Sequence, residues 1–171
     1  HCQEVYSLFG KLFLSGRVEY DFTQRRDFLS DVEDHHVEQN EFDFDRIFRR
    51  GFHSVMIIEA QATPRLAQKV IDCVRSVTDK PISHLVLTHY HAVRVLGASA
   101  FDADQIIMGD AARAMVVERG QEDWDSEFQR FPRLFEGHES IPGLTYPTTT
   151  FNDDMTVYLG NRRIDLMHLG R

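Results

Sequence analysis

The stretch Ile82–Phe101, ISHLVLTHYHAVRVLGASAF, constrains this chain more than any other. Leu85, Val86 and Leu87 form a continuous apolar run, entered from Pro81 and closed by Thr88. A run without polar alternation predicts a strand covered on both faces, as in a parallel sheet. His89 and His91 follow at once, then the small residues Ala92, Gly97, Ala98, Ser99 and Ala100, which predict a helix packed close behind the loop. The two imidazoles are thereby placed at the carboxyl end of a central strand, where open α/β sheets bind their ligands. Imidazole is the commonest protein ligand for zinc and also suits iron, copper and nickel. A turning loop can bring both rings to one side; the same pair can also be two ordinary polar residues.

The segments around this stretch alternate between strand and helix. Arg46–Arg50 and Ser54–Glu59 read as strand, turn, strand, and the continuous run Val55–Ile58 predicts a central position. Thr63 and Pro64 are suited to N-cap and first helical position. Leu66, Ala67, Val70, Ile71 and Val74 then recur at helical spacing, up to a stop before Lys80-Pro81. Gln105–Met108 predicts a short strand. Asp110 is expected to cap a helix reaching Gly120, and Trp124, Phe128, Phe131, Leu134 and Phe135 to form a second helix that Pro132 kinks or splits. Residues 137–150 read as a loop. Met155–Leu159 and Arg163–Leu169 form a hairpin about the turn Gly160-Asn161. Nearer the start, Val5–Phe13 reads as a strand pair broken at Gly10, and Asp21–Asp45 as a short surface helix or a flap.

Charge narrows the partners. The ten acidic residues and two arginines of Val18–Asp45 carry the whole formal net charge of −8. An acidic balance disfavours nucleic acid, because binding phosphates needs a basic face. No apolar run approaches the ~18 residues that span a bilayer, so no membrane partner is expected. The two cysteines, Cys2 and Cys73, give no disulfide framework. Cys73 is expected on the apolar side of its helix as a buried free thiol. That fits a reducing compartment, and a cytoplasmic location is favoured.

The histidine loop resembles the metal-binding loop of the metallo-β-lactamase superfamily, whose motif reads T-H-x-H-x-D-H after a buried strand. Thr88, His89 and His91 match it; Val93 stands in place of the aspartate and Arg94 in place of the last histidine. The likeness runs from about Phe44 to Arg171. Ile57–Pro64 is similar to the family's strand that ends in Asp-Thr and enters a helix, and Met167–Arg171 to the run before its next ligand, in a G-H-T-x-G-D segment that lies beyond this sequence. The resemblance implies an α/β fold: a metallo-β-lactamase-like αββα sandwich, mainly its N-terminal half, with a mixed sheet and flanking helices. Residues 1–45 would hold N-terminal strands and an acidic variable segment, and residues 46–171 the N-terminal part of that domain.

By the same resemblance, His89 and His91 are metal ligands for zinc, or for iron or another divalent transition metal, at a single site at most. Val93 cannot bind a metal and Arg94 repels one, so the family's second site is not expected. Glu59 stands where the family has an aspartate supporting the ligands; it either steadies a ligating histidine or caps the following turn. Tyr90 neighbours the site but is a poor base at pH 7, its ordinary pKa being about 10. Arg94 either binds a substrate carboxylate or phosphate or forms a salt bridge on a helix surface. His168, late in the chain, is expected to be structural.

Two functions follow. In one, a metal-activated water attacks an ester, lactone, thioester or amide of a small-molecule substrate. In the other, a degenerate or truncated half-fold serves in binding or assembly, as a homo-oligomer that covers its exposed sheet. The sequence names no catalytic base.

Overall fold

The computed structural model describes residues 48–50 and 53–169. The expected strand pair at Val5–Phe13 and the acidic segment up to Asp45 lie outside the described residues. Five strands form one sheet in the order β1 (Phe48–Arg50), β2 (Val55–Ile58), β3 (Ile82–Leu87), β4 (Gln105–Gly109) and β5 (Thr149–Phe151). β1 is antiparallel to β2, and the other pairings are parallel. Two further strands, β6 (Asp154–Leu159) and β7 (Arg162–Met167), make an antiparallel hairpin. This is the expected α/β class with a mixed sheet.

Alternation along the central strands explains why their sequences are apolar throughout. Met56, Val86 and Ile107 face the hairpin and pack with Val157 and Leu159 of β6, while Ile58, Phe151, Met155, Ile164 and Leu166 flank this cluster. Val55, Ile57, Leu85, Leu87, Ile106 and Met108 are buried and, by the two-residue period, point to the opposite face. A strand buried on both faces leaves no position for a polar residue, hence VMII and LVL.

Helix α1 (Pro64–Arg75) begins as its sequence requires. Thr63 is extended and its hydroxyl accepts from the backbone N–H of Leu66 at 3.1 Å, with Pro64 at the first position. Its buried stripe is Leu66, Ala67, Val70, Cys73 and Val74. Cys73 is buried as expected but is disulfide-bonded, not a free thiol.

Three further expectations are corrected. The small residues after His91 form one short helix, α2 (Ala92–Val95), and a separate 3-10 turn at Ala98–Ala100. Between them lies Gly97, on which a Cβ would sit 2.1 Å from the carbonyl oxygen of Ala60. The missing side chain lets this loop press directly on the turn after β2. The two helices expected across Asp110–Glu136 are one, α3 (Asp110–Arg130). It passes through Gly120, which is buried against Leu144, and stops before Pro132. Its N-cap is Gly109, with Asp110 in the first turn, where a negative charge suits the helix dipole. Within the expected loop 137–150, Thr149 and Thr150 open β5, which completes the sheet beside β4. The hairpin turns at Gly160-Asn161 as predicted, with Gly160 at φ +65°.

Candidate metal centre

The histidine loop leaves β3 at its carboxyl end, between Thr88 and the start of α2. His89 and His91 meet edge to face, with ring centroids 5.1 Å apart. The Tyr90 ring stacks on His91 at 4.5 Å. All three are half-buried. The loop therefore turns far enough to bring the imidazoles together rather than leaving them on opposite sides.

Beneath the loop lies Glu59, only 2 % exposed. It adopts φ +72°, a left-handed conformation that costs a non-glycine residue of order 1 kcal/mol or more. From there its Oε1 accepts the backbone N–H of Thr88 at 2.9 Å and also the Thr88 hydroxyl. The Thr88 Oγ1 is 2.9 Å from Nδ1 of His89. A hydroxyl has one proton. With that proton given to Glu59, Oγ1 accepts from Nδ1–H, and Nε2 of His89 keeps its lone pair. Glu59 thus reaches the histidine through Thr88 and makes no direct bond to it.

Arg94 is buried at 9 % exposure, with Nε 3.7 Å from Oε2 of Glu59. It forms a salt bridge, but in the interior, not on a helix surface. Burial drives the Glu59 carboxyl above its usual range, against the opposing pull of its Thr88 and Arg94 contacts. His89 is pushed down to about 4, first by desolvation and then by the charges of His91 and Arg94. It is neutral at pH 7, the form that ligates a metal.

Sequence reasoning passed over two residues. Asp123 and Glu127, one helical turn apart on α3, reach across to the histidine loop. Oδ2 of Asp123 accepts the N–H of Ala92 at 2.8 Å, and Oε2 of Glu127 accepts that of Val93 at 3.0 Å. With His91 they form a group whose potential ligand atoms all lie within 4.8 Å of one another. Glu127 is pushed up, chiefly by burial, with the Asp123 charge adding to it. An imidazole beside two carboxylates suits a divalent cation in donor type and charge. The only trace in the sequence was the Asp-x-x-x-Glu spacing, which is common on solvated helices. His168 is exposed and lies outside this group, as does half-buried His84, whose Nδ1 is 2.7 Å from the Ser83 hydroxyl.

No protein-family model matches the sequence, and no curated protein does. Among solved structures, one match is a double mutant, S233Y F250G, of the sec-alkyl sulfatase PisA1, a metallo-β-lactamase-fold protein. The TM-score is 0.53 at 12% identity, over 69% of this chain and 23% of that one. The fold is metallo-β-lactamase-like. This chain thus spans about a quarter of the sulfatase chain. Among the described residues, no helix is long and apolar enough to cross a membrane.

Proposed function

We propose that this chain belongs to a metal-dependent hydrolase lineage and that His89 and His91 hold its cation. The observation that carries this reading is the edge-to-face meeting of the two rings at the carboxyl end of β3, in a metallo-β-lactamase-like fold. The cation would be zinc, iron or another divalent transition metal; when bound, it brings the pKa of its water to about 7 and polarises a scissile carbonyl. The substrates are small esters, lactones, thioesters or amides. The neighbour named a sulfatase supports ester hydrolysis in general terms.

The chain's own residues prepare the site. Thr88 holds the His89 ring by Nδ1 and turns Nε2 outward as a ligand. Glu59 steadies Thr88 from below, and Arg94 balances the buried Glu59 charge. Tyr90 stacks on His91, limiting rotation of its ring. The Arg94 Nε lies 3.7 Å from Glu59, which favours its pairing role over binding a substrate anion.

The second reading, a non-catalytic half-fold acting in binding or assembly, draws on Val93 and on the backbone bonds already made by Asp123 and Glu127. Metal content of the purified protein decides between them, with a His89→Ala/His91→Ala double variant as control. Stoichiometric metal that the variant lacks supports the hydrolase. No metal in either protein, with a stable oligomer by light scattering, supports the second reading.

A further inference from the structure

We propose that Asp123 and Glu127 replace the motif aspartate that Val93 cannot supply, and that with His91 they are direct ligands of a divalent cation. The proposal rests on the metal-dependent reading above and names ligands which that reading leaves open.

The geometry comes from two elements far apart in sequence. An i, i+4 pair shares one face of a helix, and α3 lays that face against the start of α2. Each carboxylate spends one oxygen on a backbone N–H: Oδ2 of Asp123 on Ala92, Oε2 of Glu127 on Val93. Each keeps a second oxygen, and the bonded oxygens keep a further lone pair. His91 lies immediately before those two N–H groups, so the bonds that anchor the carboxylates also bring them to its ring. Ligand atoms of all three residues lie within 4.8 Å of one another. A cation about 2.0–2.2 Å from each nitrogen or oxygen needs small side-chain rotations to be held at once.

Charge favours the same conclusion. Glu127 is 7 % exposed and Asp123 half-buried, so two carboxylates share a partly buried site. On Glu127 burial is the largest influence, and the Val93 N–H bond counts for more than the neighbouring Asp123 charge. A divalent cation would neutralise both carboxylates, each of which otherwise meets a single backbone N–H at the start of α2. Arg94 pairs with Glu59 and its charge acts on His89, while Arg130 acts on Glu127 more weakly than the Asp123 and His91 charges. The cation is therefore centred on His91 and the α3 carboxylates, with His89 at its edge. One imidazole with two carboxylates is a harder donor set than three imidazoles. It accepts Mn2+ and Fe2+ as well as Zn2+, because carboxylate oxygen suits manganese and imidazole suits zinc and iron.

The test is calorimetric titration of the metal-free full chain with Zn2+ and with Mn2+. Variants are Asp123→Asn, Glu127→Gln, their double, and His89→Ala. The amides keep an oxygen for the Ala92 and Val93 N–H groups and lose the charge, so ligation is separated from capping. The wild type is expected to bind one equivalent of either metal. The double amide variant should lose about a hundredfold or more in affinity, beyond the 10- to 100-fold typical of losing a supporting partner. Its metal-free unfolding midpoint should stay close to wild type, and His89→Ala should lose less affinity than the double variant. In the wild type, the side-chain carboxyl carbon signals of Asp123 and Glu127 should shift on adding Zn2+, a readout that does not depend on the variants folding. Wild-type binding with no such shift, or undiminished binding by a folded double amide variant, overturns the proposal and leaves the metal-dependent reading standing. No binding by the wild type removes both.

Discussion

Glu59 holds Thr88 by two hydrogen bonds to one carboxylate oxygen, one from the backbone N–H and one from the hydroxyl. The contact joins the end of β2 to the end of β3 across 29 residues of sequence. It fixes the residue that precedes both histidines, so a group with no bond to the imidazoles governs where they stand.

Replacing Glu59 separates charge from shape. Glu59→Ala leaves the Thr88 N–H without its acceptor and the buried Arg94 without its carboxylate. Removing one member of a buried pair typically costs about 3–5 kcal/mol, and that loss is expected in urea unfolding. Glu59→Gln keeps an oxygen for Thr88 and removes only the charge, so it should cost clearly less. Equal losses in the two variants would mean that Thr88 is not what Glu59 supports.

Two glycines should respond in opposite ways to alanine. At Gly97 the new Cβ would lie 2.1 Å from Ala60 O and 2.9 Å from Thr63 O, both backbone atoms that cannot step aside. Gly97→Ala should destabilise by about 3 kcal/mol, at the upper end for overpacking. At Gly120, inside α3, the Cβ would meet Leu144 Cδ1 at 3.2 Å, the movable end of a half-buried side chain. Alanine there gains up to about 1 kcal/mol of helix propensity against a small adjustment of Leu144. Gly120→Ala should be neutral or slightly stabilising in thermal unfolding.

These contacts show where sequence reading succeeds and where it stops. β2, β3, β4 and the hairpin were legible because burial on both faces, or a tight Gly-Asn turn, leaves a local pattern. The meeting of His89 with His91 was an inference from loop position and motif likeness. The roles of Thr88, Asp123 and Glu127 were not legible, since each depends on a partner 29 or more residues away. Of the two readings of Arg94, a substrate-anion contact or a surface salt bridge, neither foresaw burial, which tertiary packing with Glu59 brings about. Gly120 suggested a helix end by its low propensity, but packing against Leu144 outweighs about 1 kcal/mol. β5 was missed because three residues, two of them threonines, carry little period-two signal.

Metal binding should be visible in stability. A ligand at a hundred times its dissociation constant stabilises the folded state by about 2.7 kcal/mol when the unfolded chain does not bind it. Excess Zn2+ should therefore raise the unfolding midpoint of the wild type, and a chelator should reverse the rise. The His89→Ala/His91→Ala variant should show neither change. An equal rise in that variant would place the cation elsewhere.

The pH profile of the metal-free protein should carry the mark of His89. Its folded-state pKa is depressed from 6.5 to about 4, so between those values the unfolded chain binds more protons than the folded one. Stability then rises with pH across that window. Run downward, the contribution is intact above pH 6.5 and lost as pH falls towards about 4. At 1.36 kcal/mol per pKa unit the full change is about 3 kcal/mol at most. Glu59 and Glu127 act oppositely: their carboxyls are raised, so their contribution falls as pH climbs above the unfolded value of 4.5. Comparison with His89→Gln isolates the histidine, because glutamine keeps polarity and does not titrate. The wild-type curve should be steeper than the variant's between pH 4 and 6.5 and parallel to it above 7. Parallel curves throughout would mean that His89 is as well solvated in the folded chain as in the unfolded one, which is incompatible with its place against His91 and Arg94.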